Sequence, residues 1–237
     1  MDFVSGAIGG GIAEAAVMPL CTIMTFAATN PKDQLNLKTT LKRFQDKQPQ
    51  HKITIQSWFP SARWQIGAQM FSTATKFGFY QQFKTAFPDQ PIFINGTLGT
   101  LCAVTITHPI DTIKINRQLF EKKHYSKKEL YEGFMPALAK GLVGGVTFFP
   151  IRDYFLEKQK TKEWVANTAS ALISTTAIHG FDMAKRRSQA QHASLGVSNL
   201  LKYFQGPGLL FNYVRVLLHF NIQMAVISRL DPFFKKF

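Results

Sequence analysis

Long runs without a charged residue constrain this chain before anything else does. Residues 90–110 (QPIFINGTLGTLCAVTITHPI) and 164–181 (WVANTASALISTTAIHGF) hold no Asp, Glu, Lys or Arg, and residues 3–31 hold only Glu14. A helix needs about 20 residues to cross a hydrocarbon core of ~30 Å. Three such stretches in 237 residues exclude intrinsic disorder and a small disulfide scaffold, and they predict an all-α membrane protein. Three weaker stretches alternate with them: 58–83 with Arg63 and Lys76, 134–157 with Lys140, Arg152 and Asp153, and 207–230 with Arg215. A charge at mid-helix in lipid costs roughly 2.5–3.5 kcal/mol, and such residues persist where they face a bundle interior or a water-filled cavity. Six transmembrane helices are therefore expected, strong and weak in alternation. The N-terminus lacks a basic n-region and is expected to stay as the first helix. Cys21 and Cys102 both lie in apolar stretches and suggest neither a disulfide framework nor a metal site.

Charge orients the bundle. The connections 32–56, 114–132 and 182–206 carry sixteen basic and six acidic residues, whereas the segments facing the other way carry eight and six. This is the asymmetry of the positive-inside rule, with both termini on the less basic side.

An internal repeat sharpens the picture. Thr105, His108, Asp111, Lys114 and Gln118 recur in register, seventy-one residues later, as Thr176, His179, Asp182, Lys185 and Gln189. Steps of three, three, three and four residues place each set along one helical face. Pro109 would kink its helix, and Gly180 would permit a similar bend. Each copy is followed by an aromatic–glycine element, Tyr131-Glu-Gly133 and Tyr203-Phe-Gln-Gly206. A third copy is faint: Pro19 is kept, but Cys21, Met24 and Ala28 replace the Asp, Lys and Gln. Glycines crowd the first helix (Gly6, Gly9, Gly10, Gly11) and mark the third (Gly96, Gly99), which allows close helix contacts.

Pro-x-Asp-x-x-Lys followed by an aromatic–glycine element, in three pseudo-repeats of two helices, resembles the mitochondrial carrier family over essentially the whole chain. The resemblance divides one structural domain into repeats at 1–86, 87–160 and 161–237. It implies six transmembrane helices, with short amphipathic helices after the first, third and fifth; Leu35–Phe44 and Leu195–Phe204 are the candidates for two of these. It implies exchange of solutes across the mitochondrial inner membrane by alternating access, with no enzyme activity and no cofactor.

Residue by residue, the resemblance makes Asp111, Lys114, Asp182 and Lys185 the ionic part of a matrix-side gate, braced by Gln118 and Gln189. Pro19, Pro109 and Gly180 mark its helix bends. Asp111 would pair with Lys185. Lys114 would look for an acid where Cys21 stands and Asp182 for a base where Met24 stands, so one of three pairs would survive. On the opposite side, Tyr80 with Lys84 and Arg152 with Asp153 are fragments of a second gate. Gly133 and Gly206 match positions that hold cardiolipin phosphate on helix N-termini; plain helix-breaking glycine is the competing reading.

Substrate contacts are expected at Lys140, Arg215 and Arg63, with Arg186 and Arg187 below them. Cations gathered without acids at the same depth call for an anion, and phosphate suits Arg and Lys. Nucleotides or deoxynucleotides are the expected cargo of a monomeric carrier that contacts membrane lipid and no nucleic acid. His108 and His179 could suggest a metal pair, but repeat symmetry accounts for them better, so no metal is expected. Competing readings are a carrier-shaped scaffold or ion leak, and a soluble basic helical protein.

Overall fold

A computed structural model describes residues 3–29, 37–48, 52, 54–60, 62–120, 124–191 and 208–234. Six long helices carry the architecture: α1 (Phe3–Ala28), α3 (Ala62–Ala86), α4 (Ile92–Gln118), α6 (Phe134–Glu157), α7 (Glu163–Gln191) and α8 (Gly208–Phe234). Two short ones, α2 (Leu37–Asp46) and α5 (Lys127–Leu130), lie on the basic-side connections after α1 and α4. Helix α2 falls two residues along from the expected Leu35–Phe44, whereas Leu195–Phe204 and Gly206 lie outside the described residues. Helix is the only regular secondary structure among the described residues, apart from a 3-10 turn at Ile55–Trp58.

Three described stretches are long and apolar enough to cross a membrane by composition: Val4–Ala28, Lys127–Glu157 and Leu209–Leu230. This corrects the expected alternation of strong and weak spans. The charge-free runs of α4 and α7 are rich in Thr, Ser and Asn, so freedom from charge overstates their apolarity. Conversely, α6 and α8 carry few charges among dense aliphatic and aromatic residues.

Packing runs in a ring. Helix α1 lies against α3 and α8, α3 against α4, α4 against α6, α6 against α7, and α7 against α8. Helices α1, α4 and α7 also touch one another; among the described residues α6 and α8 meet through the Phe148 and Phe220 rings, 5.7 Å apart, without extended packing. The six helices thus enclose a space that narrows where α1, α4 and α7 converge. Beneath the convergence, Phe26, Phe44, Ile115 and Leu119 form an apolar plug, with Trp58 packed against it. Phe44 reaches it because α2 has an apolar stripe; its ring sits edge-on to Phe26 at 5.2 Å.

The distribution of polarity is inverted relative to a protein in water. Gln65, Asn116 and Gln189 are fully buried, while Met135 and Leu210 are 72% and 66% exposed. An apolar outer surface around a polar interior is what a hydrocarbon solvent selects. Small residues let the ring close tightly. A Cβ on Gly99 would stand 2.8 Å from the Tyr80 backbone nitrogen, so α3 and α4 meet backbone to backbone there. Helices α1 and α4 run through Pro19 and Pro109 as continuous helices, each missing one donor, and α7 does the same through Gly180.

Candidate functional site

Inside the ring lies a cavity of about 440 Å³ to which all six long helices contribute. Six cations line it: Lys76 from α3, Lys114 from α4, Lys140 from α6, Lys185 and Arg186 from α7, and Arg215 from α8. Three carboxylates face them: Glu14, Asp111 and Asp182. The expected set of cations without acids at the same depth is therefore corrected: half are matched, and a formal excess of three positive charges remains.

The repeat register shows directly in the geometry. The acid of one copy meets the base of the next: Lys185 Nζ donates to Asp111 Oδ2 at 2.6 Å across the α4–α7 seam. Below it, Gln189 Nε2 donates to Thr112 Oγ1 (2.8 Å) and Asn116 Nδ2 to the Gln189 carbonyl (3.2 Å). Gly133 secures the same seam from α6. Its φ of +74° is a left-handed conformation, and a Cβ there would stand 2.9 Å from the Lys185 carbonyl.

Lys114 and Asp182, expected to lack partners, both have one. Lys114 forms an ion pair with Glu14, which stands seven residues before Cys21. Seven residues are two helical turns, so Glu14 shares the face of Cys21 and lies ~10 Å along the axis. Asp182 bridges two bases, with Lys140 on Oδ1 and Arg186 Nε at 3.1 Å from Oδ2. Arg186 continues across the α7–α1 seam, donating from Nη1 to Thr25 Oγ1 at 2.8 Å. Thr25 also meets Gln118 Oε1 (2.7 Å), and Gln118 Nε2 reaches Gln65 Oε1 on α3 (2.7 Å). Thr25, one residue from Met24, thus takes the place at that seam where a base was sought.

Of the expected substrate contacts, Lys140, Arg186 and Arg215 line the cavity. Arg215 holds Nε and Nη2 on its own helix neighbour Asn212, at 3.2 and 2.8 Å. Arg63 does not line the cavity: it is exposed in the first turn of α3. Arg63 stands three residues after Pro60 much as Lys140 stands four after Pro136, but Pro136 lies inside α6 whereas Pro60 precedes α3, so the two cations fall at different levels. Lys76 is the α3 cation in the cavity, thirteen residues and ~20 Å further along the helix. It has no hydrogen bond or ion pair among the described residues. Arg187 is also outside the lining, since adjacent helical residues point about 100° apart and Arg186 takes the inward position.

His108 and His179 separate into different environments. One meets the Glu132 carbonyl at 2.9 Å and stacks with Tyr131; the other meets Asn212 at 3.2 Å. At the opposite end, Arg152 Nε donates to Asn167 of α7 at 2.7 Å and lies 3.7 Å from Asp153. Lys84 has no ion pair among the described residues.

Glu14, Lys76 and His219 line the cavity without having been assigned a role from sequence. A lone acid in a charge-free membrane helix was the available signal for Glu14, and a cation amid an apolar segment was the signal for Lys76. His219, neutral and unrepeated, gave none.

No family model matches the chain. It is 28% identical, over 97% of its length and 95% of the relative's, to a mitochondrial carrier-like protein of Acanthamoeba polyphaga mimivirus. It is 22% identical, over 79% of its length and 69% of the relative's, to a human mitochondrial coenzyme A transporter.

Proposed function

These likenesses, with the ring of six long helices, support a member of the mitochondrial carrier family, a transporter rather than an enzyme, and from that premise we propose that it exchanges nucleotides or deoxynucleotides across a mitochondrial inner membrane. With a viral relative, the membrane is that of a host mitochondrion. All six long helices span it, with the basic connections toward the matrix, and a single chain encloses the pathway.

One observation carries the substrate class: six cations to three carboxylates around one cavity. A surplus of buried positive charge is costly until an anion neutralises it, so binding and relief of that cost are coupled. A nucleoside di- or triphosphate supplies enough charge for Lys76, Lys140 and Arg215 together, whereas a monocarboxylate does not. The name of the human relative, which carries a nucleotide-containing cofactor, agrees with this. Asp111–Lys185, Glu14–Lys114 and the Arg186–Thr25 bridge close the matrix end, with Gln118 and Gln189 bracing them. Gly133, at the start of α6, seats a cardiolipin phosphate, the role that the repeat also gives to Gly206.

The test is uptake of labelled ribo- and deoxyribonucleoside phosphates into liposomes that hold the purified protein. Lys140→Ala and Arg215→Ala should each lower uptake tenfold or more, the equivalent of about 1.4 kcal/mol or above. No uptake by the wild-type protein, or undiminished uptake by both variants, would overturn this reading. A second reading, transport without strict exchange, draws on one feature: Lys84, at the end away from the Asp111–Lys185 pair, has no ionic partner among the described residues. Uptake independent of nucleotide inside the liposomes would favour it.

A further inference from the structure

The anion-binding reading leaves Glu14 and His219 without a reason to face each other. Glu14 is the only ionisable side chain in α1 apart from the buried thiol Cys21, and its carboxylate is 2% exposed. One oxygen is held by Lys114; the other lies 3.8 Å from Nδ1 of His219 on α8. That nitrogen is buried and has no hydrogen-bond partner. The imidazole is 17% exposed and lines the cavity, so water and solutes can reach it.

We infer that Glu14 and His219 form a proton site linked to the anion site, so that one proton binds His219 as the anion binds and leaves with it. This rests on the anion-transport reading.

The argument is one of neighbours. Glu14 from α1 favours a charged imidazole. Lys114 from α4, Lys76 from α3 and Arg215 on the same helix line the same cavity, and like charge opposes it. Helix α7, which also packs on α8, adds to the cavity Asp182 and Arg186, paired with each other, and Lys185, paired with Asp111, while its His179 meets Asn212 of α8. Three cations and one carboxylate thus face the imidazole around the cavity. An anion on Lys76 and Arg215 removes two of the three objections. A protonated His219 would then complete an ion pair with the free oxygen of Glu14 and add a positive charge facing the anion. Occupancy by anion and by proton thus favour each other, and the linkage is reciprocal by necessity. Histidine is the side chain whose ordinary titration makes this coupling available near neutrality. Across a membrane, a proton taken up with the anion on one side and released with it on the other is symport. It reduces the net negative charge moved per cycle by one.

The experiment is calorimetric titration of the purified protein with cyclic trimetaphosphate, a polyanion with no proton that titrates near neutrality. Wild-type affinity should be roughly tenfold higher at about pH 6 than at about pH 8, and close to one proton should be taken up per anion, read from buffers of different ionisation heat. His219→Gln should lose both the pH dependence and the proton uptake. His219→Arg, with a fixed charge, should bind equally at both pH values with no proton taken up. Equal wild-type affinity at the two pH values, or an unchanged pH dependence in His219→Gln, overturns the proton site while leaving the anion reading intact. No binding at either pH overturns the anion reading and the proton site with it.

Discussion

The seam between α4 and α7 and the seam between α7 and α1 use the same helix face, yet different chemistry holds them. At the first, two intact copies of the repeat meet, and the Asp111–Lys185 ion pair stands above the Gln189–Thr112 hydrogen bond. At the second, an intact copy meets the eroded one. Asp182 finds no base across the gap, turns to Lys140 and to Arg186 of its own helix, and the crossing is left to one hydroxyl, Thr25. Loss of a motif residue therefore does not leave its former partner bare. An unpaired buried carboxylate or ammonium is costly, and Lys114 and Asp182 are satisfied by Glu14 and Lys140. Both of these substitutes line the cavity, which brings the closing contacts and the candidate binding site onto shared residues.

The largest expected effect comes from breaking the intact seam. Asp111→Lys puts two ammonium groups where an ion pair was, and disrupting such a buried pair costs about 3–5 kcal/mol. Transport should fall more than a hundredfold, because alternation needs both end states populated and a shift of that size empties one of them. Adding Lys185→Asp restores opposite charges across the seam and should recover a measurable part of the rate. Equal loss in the single and double variants would show that the pair does not act across this seam.

That contact is legible in sequence because a repeat supplies its own register. Two copies seventy-one residues apart fix which face of each helix points inward, and the resemblance to the carrier family then sets the acid of one copy, Asp111, against the base of the next, Lys185. The six helices are legible for a related reason, since length and absence of charge bound them. The first pair of helices was harder to read. Its motif residues are gone, so nothing fixes the register of α3, and Pro60, which precedes that helix, does not stand where Pro136 does inside α6. Glu14 was visible as a lone acid, but its partner lies on another helix two turns from the expected level. Distances between helices are what sequence spacing does not carry.

A smaller effect separates the two seams by their hydroxyls. Thr25→Val keeps the shape of the side chain but strips the acceptor from Arg186 and the partner from Gln118. A hydrogen bond to a charged group contributes about 1.5–3 kcal/mol, so thermal unfolding of the purified protein should move down by several degrees. Thr112→Val removes the acceptor of the neutral Gln189 amide at the seam that also has an ion pair, and about 0.5–1.5 kcal/mol is the matching figure. The contrast fails if Thr112→Val is the more damaging of the two.

The smallest effect should come from the cation that sequence placed in the site and the structure places outside it. Arg63 is exposed at the start of α3, away from the cavity, so Arg63→Ala removes a charge that water already screens. Nucleotide uptake into liposomes should stay within about twofold of wild type, as an exposed charge is worth at most a few tenths to one kcal/mol. Lys76→Ala, thirteen residues further along the same helix, provides the contrast. It takes away a cavity cation that has no ionic partner of its own among the described residues, and whatever anion occupies the cavity loses that contact outright. Its uptake should therefore fall at least as far as that of Lys140→Ala, where the lost ammonium also frees Asp182 to hold Arg186 alone. If Arg63→Ala were the more damaging of the α3 pair, the inward face of α3 would be the one that carries Arg63, and Lys76 would lie outside the cavity.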